Sequence, residues 1–525
     1  MSDGLPALVP PGGAGSGRPR QLALAVLVVL TAAAVVVGNG NVGLALVPAL
    51  GALLLWLMWT LPLRVTLLTL LALAWAIEAP SDVFASDRIH TPWAIVGRVL
   101  WAKLNLLVPF SPLVLTGFDL VALLLLAVVV VRHFTRSTVD REGWVPSPAP
   151  IGLFAWLTVI AVLLITAHGL ARGGSFRFVL WQAIKWLYLP LIYTLMNQGL
   201  RGPRDVWISG QVLVGAGVFR ALEAVLIRFR YPSLEEMPHT TSHHDSVLFA
   251  TCLALLVARA LEAPSRRAYR ALAMLGPLFL WAMVANNRRL VWTEVGMVAV
   301  FFWLVTPWRP LKRKLARIVV LAAAPTLLYA AAGWNSSSGL FKPVQKIRSM
   351  VDSKRDASTA WRDMENFNLI TTYRQAPMTG LGFGHRMIEA VKLPDITAAY
   401  ELEPYVPHNS VLGLWAFGGL LGFALLWAVF PVGMYFTVRA YRWAGHPLER
   451  AAALTAAAVQ ISYVMQGYGD LGFGTWGPVF TVALGYAVVG KICVARGAWP
   501  TPLPSDAADS SVAIRVARHP GISAS

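Results

Sequence analysis

The feature that most constrains this chain is the recurrence of apolar stretches, each about twenty residues long, from residue 21 to residue 493. A helix of that length crosses about 30 Å of hydrocarbon and satisfies its backbone polar groups internally, which few other structures can do without water. The stretches fall at approximately 21–37, 42–59, 61–79, 112–131, 150–167, 178–198, 206–227, 245–262, 271–286, 290–307, 316–333, 410–438, 450–468 and 473–493. They predict an all-α polytopic membrane protein with about 12–14 transmembrane helices and a large extracytoplasmic loop before the last three. Composition agrees, with 57% hydrophobic and 13% charged residues and a mean hydropathy of +0.60. Soluble domains carry about a quarter charged residues.

The net charge of +18 does not point to nucleic acid here, because Lys and Arg gather in short loops between spans. The basic loops are Arg132/Arg136/Arg141, Arg201/Arg204, Arg266/Arg267/Arg270, Arg309/Lys312/Arg313/Lys314/Arg317 and Arg439/Arg442/Arg450. With the N-terminus inside, all five lie on the cytoplasmic side, as the positive-inside rule requires. The expected setting is a multi-pass protein of the plasma (inner) membrane, in contact with the lipid bilayer, with both termini cytoplasmic.

The same topology divides the chain. Residues 1–20 read as a disordered cytosolic leader, 21–333 as an N-terminal transmembrane bundle, and 334–407 as an extracytoplasmic loop subdomain. Residues 408–494 read as C-terminal transmembrane helices and 495–525 as a disordered cytosolic tail. No cleavable signal is evident, since the first apolar run is followed at once by another. Cys252 and Cys493 sit in or beside apolar spans far apart in sequence, and neither reads as a disulfide half or a metal ligand.

Loops as long as 334–407 are usually functional. Within it, Ser358 to Arg374 carries Trp361, Met364, Phe367 and Ile370 at three-residue spacing, which predicts a helix with its apolar side on the membrane surface or the bundle mouth. Gly380-Leu381-Gly382-Phe383-Gly384 follows, a backbone able to turn tightly.

Five constellations could carry chemistry. Arg288 and Arg289 stand together on an outer turn, against the charge bias, and suit either headgroup contact or bidentate binding of phosphate oxygens. Glu294, about a turn further on, is an intramembrane acid and either a functional group or their ion-pair partner. Arg362 lies on the predicted loop helix beside Asp363 and Glu365, where a solvated face is the plainer reading. Pro407-His408-Asn409-Ser410 precedes a span, so Asn409 or Ser410 can cap a helix whose N-terminus attracts anions. His408 there is either structural or a general base near neutral pH. His239-Thr240-Thr241-Ser242-His243-His244-Asp245 could turn two imidazoles and a carboxylate to one metal if helical, or simply line a polar loop. Asp82 and Asp87 could hold a divalent ion, although their surroundings look like an ordinary interfacial loop.

The order and spacing of these groups resemble the O-antigen ligase and polymerase family of bacterial membrane glycosyltransferases. The matching text is Asn287-Arg288-Arg289-Leu290-Val291-Trp292, Trp361-Arg362, Thr379-Gly380-Leu381-Gly382-Phe383-Gly384 and Pro407-His408-Asn409-Ser410-Val411-Leu412. Phe417-Gly418-Gly419-Leu420-Leu421-Gly422 resembles the small-residue pattern of that family's next helix. The resemblance covers roughly residues 245–440. It implies a GT-C-like fold that moves a glycan from undecaprenyl pyrophosphate to a glycan or lipid acceptor outside the cytoplasm, inverting the anomeric centre without metal or other cofactor. It further implies that Arg362 and one of Arg288/Arg289 hold the pyrophosphate, that His408 orients or deprotonates the acceptor hydroxyl, and that Glu294, Asn409 and Ser410 support them.

Two rivals share part of this pattern. A transporter or flippase for polyprenyl-linked glycan would suit many spans and a basic outer pocket, although the halves show no repeat of the kind common in transporters. A metal-dependent GT-C transferase would use Asp82, Asp87 or His243-His244-Asp245.

Overall fold

A computed structural model describes residues 17–37, 40, 42–77, 96–97, 100–101, 115–135, 143–233, 237–308, 310–341, 344–345, 348, 357–395, 404–469, 473 and 476–500. The sequence readings of residues 1–16 and 501–525, and of Asp82 and Asp87, lie outside them. Among the described residues every apolar stretch is helical and there is no strand.

The chain divides into two units, Met1–Pro62 and Leu63–Ser525. The first contains α1 (Gly17–Val37) and α2 (Val42–Thr60), which pack on each other. Gly40, at φ 77°, gives its N–H to Val35 O at 2.9 Å and so ends α1.

The second unit runs through α3 (Leu63–Ala76), α4 (Gly117–Phe134), α5 (Ala149–Ala171), α6 (Phe176–Gly199), α7 (Val206–Arg230), α8 (His243–Glu262) and α9 (Arg266–Asn286). It continues with α10 (Leu290–Val305), α11 (Pro310–Gly333), α12 (Ala357–Gln375), α13 (Ser410–Trp427), α14 (Val429–Trp443), α15 (Pro447–Gly469) and α16 (Trp476–Ala495). Ala149–Ala171, His243–Glu262, Arg266–Asn286, Lys312–Gly333, Ser410–Trp443 and Trp476–Ala495 are long and apolar enough to cross a bilayer, and the bent α6 adds a seventh. Some of the other apolar helices are short: α3, with 14 residues, reaches only about 21 Å at about 1.5 Å per residue. Large apolar side chains are exposed along many of these helices, a surface that water would not tolerate and hydrocarbon would cover. The molecule is a polytopic α-helical membrane protein.

Burial is uneven. In α16, 89% of the most apolar window is buried, whereas none of α11's is. Helix α16 packs against α15, α6 and α14, and α15 packs against α8, so these elements form the centre of the bundle. Small side chains permit the approach: a Cβ on Gly433 would lie 2.2 Å from the Tyr486 ring.

Charge sorts the two ends. At one, Val145 gives its N–H to Arg201 O at 2.6 Å, Lys491 Nζ donates to Val145 O at 2.5 Å, and Arg450 pairs with Glu262 at 3.0 Å. Arg496 also pairs with Glu449 there, at 2.5 Å. These contacts lie in or beside four of the five basic loops, 132–141, 201–204, 266–270 and 439–450. At the opposite end the start of α6, residues 237–242, the turn 287–289 and the segment before α13 carry the candidate groups.

Candidate functional site

The core of this end is a locked break in a helix. In α13, Gly419 takes φ 59° and ψ −165°, so its helix loses its regular bonds at that point. The Gly-rich turn fills the gap. Leu381 and Gly382 donate to the freed carbonyls of Ala416 and Phe417 at 3.1 and 2.8 Å, while Leu420 and Leu421 donate to Pro377 and Met378 at 2.8 and 3.1 Å. Gly380, Gly382 and Gly384 all have positive φ. A Cβ on Gly382 would meet Gly169 Cα at 2.3 Å, so the turn also lies directly on the end of α5.

The rest of the loop is anchored by amides. Gln182 of α6 accepts from Gly384 N and donates to Tyr405 O at 2.6 Å and His385 O at 3.3 Å. Asn368 of α12 brackets Val391, donating to its carbonyl at 2.7 Å and accepting from its N–H at 2.8 Å. Thr372 accepts from Ile388 N at 2.8 Å. The buried face of α12 therefore carries three polar side chains, Glu365, Asn368 and Thr372, beside Leu369, while Phe367 and Ile370 of the apolar stripe are exposed.

That face holds His408. Asn409, not Ser410, is the N-cap of α13, its Oδ1 accepting from Leu412 N at 3.0 Å while its Nδ2 donates to Asn366 Oδ1 at 3.0 Å. One residue earlier, the His408 backbone N–H donates to Glu365 Oε1 at 3.0 Å, and the same oxygen lies 3.3 Å from His408 Nδ1. The Trp361 ring meets the imidazole edge to face, with centroids 4.6 Å apart. Trp361, Arg362 and Glu365 share one side of α12 by their helical spacing. His408's side chain is 23% exposed and Glu365's is 0% exposed, so the imidazole can be reached while its carboxylate partner cannot. Beside it, a cavity of about 50 Å³ is lined by Ser410, Pro407, Tyr405, Trp186, Phe417 and Phe473.

Arg288 and Arg289 sit on a second construction. Asn287, at φ 54°, closes α9 in the left-handed conformation. Asn286 is fully buried, donating to Ser242 O and Ser246 Oγ at 2.9 Å each and accepting from Thr241 N at 3.0 Å. Arg228 donates to Ala285 O at 2.9 Å and 3.2 Å from two of its nitrogens. The segment 237–246 is thereby fastened to the arginine turn. His239 accepts or donates at Asn286 O, 3.2 Å away, and burial, followed by the charge of Arg288, pushes its imidazole down to about 4. His243 lies next to it, with ring centroids 6.2 Å apart. Leu290, the first residue of α10, touches the end of α15 so closely that a Cβ on Gly469 would fall 2.7 Å from its side chain. Phe473, just beyond α15, lines the cavity beside Ser410. Glu294 is completely buried in α10.

The sequence-predicted groups thus fall into two clusters at one end of the bundle. His408, Asn409 and the Arg362-bearing helix are in direct contact, and Arg288 is joined by histidines that looked like a metal motif. That motif does not assemble as one. Asp245 closes the capping box of α8 with Ser242 and is gripped by Arg220 at 3.1 and 2.6 Å. Among the described residues no three His, Cys, Asp or Glu side chains gather to hold a metal ion. Sequence reading missed the roles of Glu365 and Trp361 against His408 and of Arg228 and His239 against Arg288. The three- and four-residue offsets from His408's partner to Arg362 and Trp361 were visible, but not which helix face would turn inward.

No family model matches the chain, and no curated protein matches it. Its class, a polytopic α-helical membrane protein, rests on its helices.

Proposed function

We propose that the protein is a GT-C-like glycosyltransferase, resembling O-antigen ligases and polymerases, that works on the extracytoplasmic side of the plasma membrane. Its donor is a glycan on undecaprenyl pyrophosphate and its acceptor a hydroxyl of a second glycan or lipid. The observation that carries the reading is the clasp between His408 and α12: two motifs far apart in sequence meet, one bringing an imidazole at a helix start and the other Arg362.

In the proposed reaction the acceptor oxygen attacks the anomeric carbon as the bond from that carbon to the pyrophosphate oxygen breaks. The hydroxyl proton passes to His408 Nε2, and polyprenyl pyrophosphate leaves with the bonding electrons. A single displacement inverts the anomeric centre. Negative charge grows on the leaving phosphate, where Arg362 and Arg288 or Arg289 supply fixed cations. The N-terminal amides of α13 add partial positive charge close to His408. Glu294, Asn409 and Ser410 support the arrangement from behind: Asn409 by capping α13 and holding Asn366, Ser410 by opening the helix onto the cavity.

The test uses the purified full chain in proteoliposomes with radiolabelled polyprenyl-pyrophosphate oligosaccharide and a saccharide acceptor. The expected result is a covalent glycan product with release of the carrier lipid. Labelled lipid crossing the bilayer with no such product would instead establish a transporter.

A further inference from the structure

We infer that Glu365 is the positioning residue for His408, fixing the proton on Nδ1 and so making unprotonated Nε2 the nitrogen that takes the acceptor's proton. The consequence for catalysis rests on the glycan-transfer reading, whereas the positioning itself does not.

The geometry is asymmetric in an informative way. Glu365 Oε1 meets one residue twice: it accepts from the backbone N–H of His408 at 3.0 Å and lies 3.3 Å from ring Nδ1. A backbone N–H can only donate, so the oxygen it meets must be an acceptor. With the carboxyl ionised that oxygen can only accept, so the ring nitrogen sharing it carries a proton. Which nitrogen of a neutral histidine is protonated is set by the bond that the other one makes, so Nε2 is left as the base. Trp361, one turn before Glu365 on α12, lies at 82° to the imidazole and hinders its rotation.

A second feature separates this contact from a simple loop anchor. Glu365 is fully buried, and its other oxygen, Oε2, has no hydrogen-bond partner; the buried Trp361 Nε1 has none either. Leaving a buried carboxylate oxygen unmet is costly. The acid is most strongly compensated when the neighbouring ring becomes an imidazolium, which is the state that His408 reaches as it takes the acceptor proton. The interaction therefore strengthens along the reaction, the condition for lowering a barrier rather than merely binding substrate.

The contact also explains why an amide is the informative substitution. In Glu365→Gln the backbone N–H of His408 forces the amide carbonyl to face it, so the tautomer survives while the negative charge is lost. In Glu365→Leu both are lost.

The experiment is nitrogen-15 NMR of the full chain in micelles with labelled histidine. The chain has 10 histidines, and the His408 signals are assigned by their loss in His408→Gln. The wild type is expected to show His408 protonated on Nδ1 when neutral, Glu365→Gln the same pattern, and Glu365→Leu a shift of population to the Nε2-protonated form. In the transfer assay Glu365→Gln should lose about ten- to a hundredfold in kcat and Glu365→Leu about a thousandfold or more, with donor KM little changed. Wild-type His408 protonated on Nε2 would overturn the assignment, and this needs no variant to fold. A wild-type tautomer as expected without any glycan transfer would instead remove the catalytic reading and leave the positioning intact. Unchanged kcat in a well-folded Glu365→Leu, judged by its melting curve, would also overturn the proposal.

Discussion

Gly380 and Gly419 meet backbone to backbone: a Cβ on Gly419 would lie 2.5 Å from Gly380 N, and one on Gly380 would lie 2.5 Å from Gly419 N and 2.3 Å from Phe417 C and O. Neither can gain a side chain without parting the Gly-rich turn from the break in α13. Both also hold positive φ, a region L-residues disfavour by about 1–2 kcal/mol. Gly380→Ala should therefore destabilise the chain by about 2–4 kcal/mol, adding overpacking to backbone strain. Thermal unfolding in detergent, compared with Gly215→Ala in α7, where nothing lies within 4 Å of the new methyl, measures the difference. An equal effect at both positions would contradict the interlock.

Asn286 makes three hydrogen bonds in a fully buried position, and Asn286→Ala strands Thr241 N and Ser242 O. Each orphaned buried group costs about 1–3 kcal/mol. The expected outcome is a loss of roughly 3 kcal/mol in stability, with weaker binding of polyprenyl pyrophosphate because the turn bearing Arg288 and Arg289 is loosened. Denaturant unfolding and a ligand-binding titration on the same sample separate the two effects.

His239 has its imidazole lowered from 6.5 to about 4 by burial first and then by Arg288, with His243 and Arg228 adding to the effect. The folded chain therefore binds fewer protons at this residue than the unfolded one between those two values. Its contribution is fully present above pH 6.5 and drains away as the pH falls towards 4. The melting temperature of the wild type should fall over that window, and His239→Gln should remove part of the fall. Melting curves of the two proteins at matched pH values decide it.

Arg362 is expected to hold pyrophosphate through the planar fork of its guanidinium, which a lysine cannot reproduce. Arg362→Lys should therefore cost at least about tenfold in kcat/KM for the donor despite keeping the charge. Steady-state kinetics of transfer measure it; a variant as active as the wild type would show that charge alone suffices.

Much of the fold was legible because hydrocarbon demands helices, and the apolar runs mark where they lie. Their crossing competence was not, since α3 and α10 are apolar but short. The loop helix was readable from spacing at Ser358–Arg374, yet its inward face was not, because buried Glu365, Asn368 and Thr372 look like solvent-facing residues in a sequence. Their partners, His408, Val391 and Ile388, come from later segments. Nor could the sequence choose between the two readings of His239–Asp245, because Asp245's partner Arg220 lies 25 residues away on a neighbouring helix. The Gly-rich turn signalled a tight bend, but only the break at Gly419 shows what the bend is for.

The central claim is that His408 takes the acceptor proton in glycan transfer, and His408→Ala tests it most directly. Transfer from polyprenyl-pyrophosphate oligosaccharide in proteoliposomes should fall at least about a hundredfold, while donor binding stays near the wild-type value. Undiminished turnover in a folded His408→Ala protein would contradict the account.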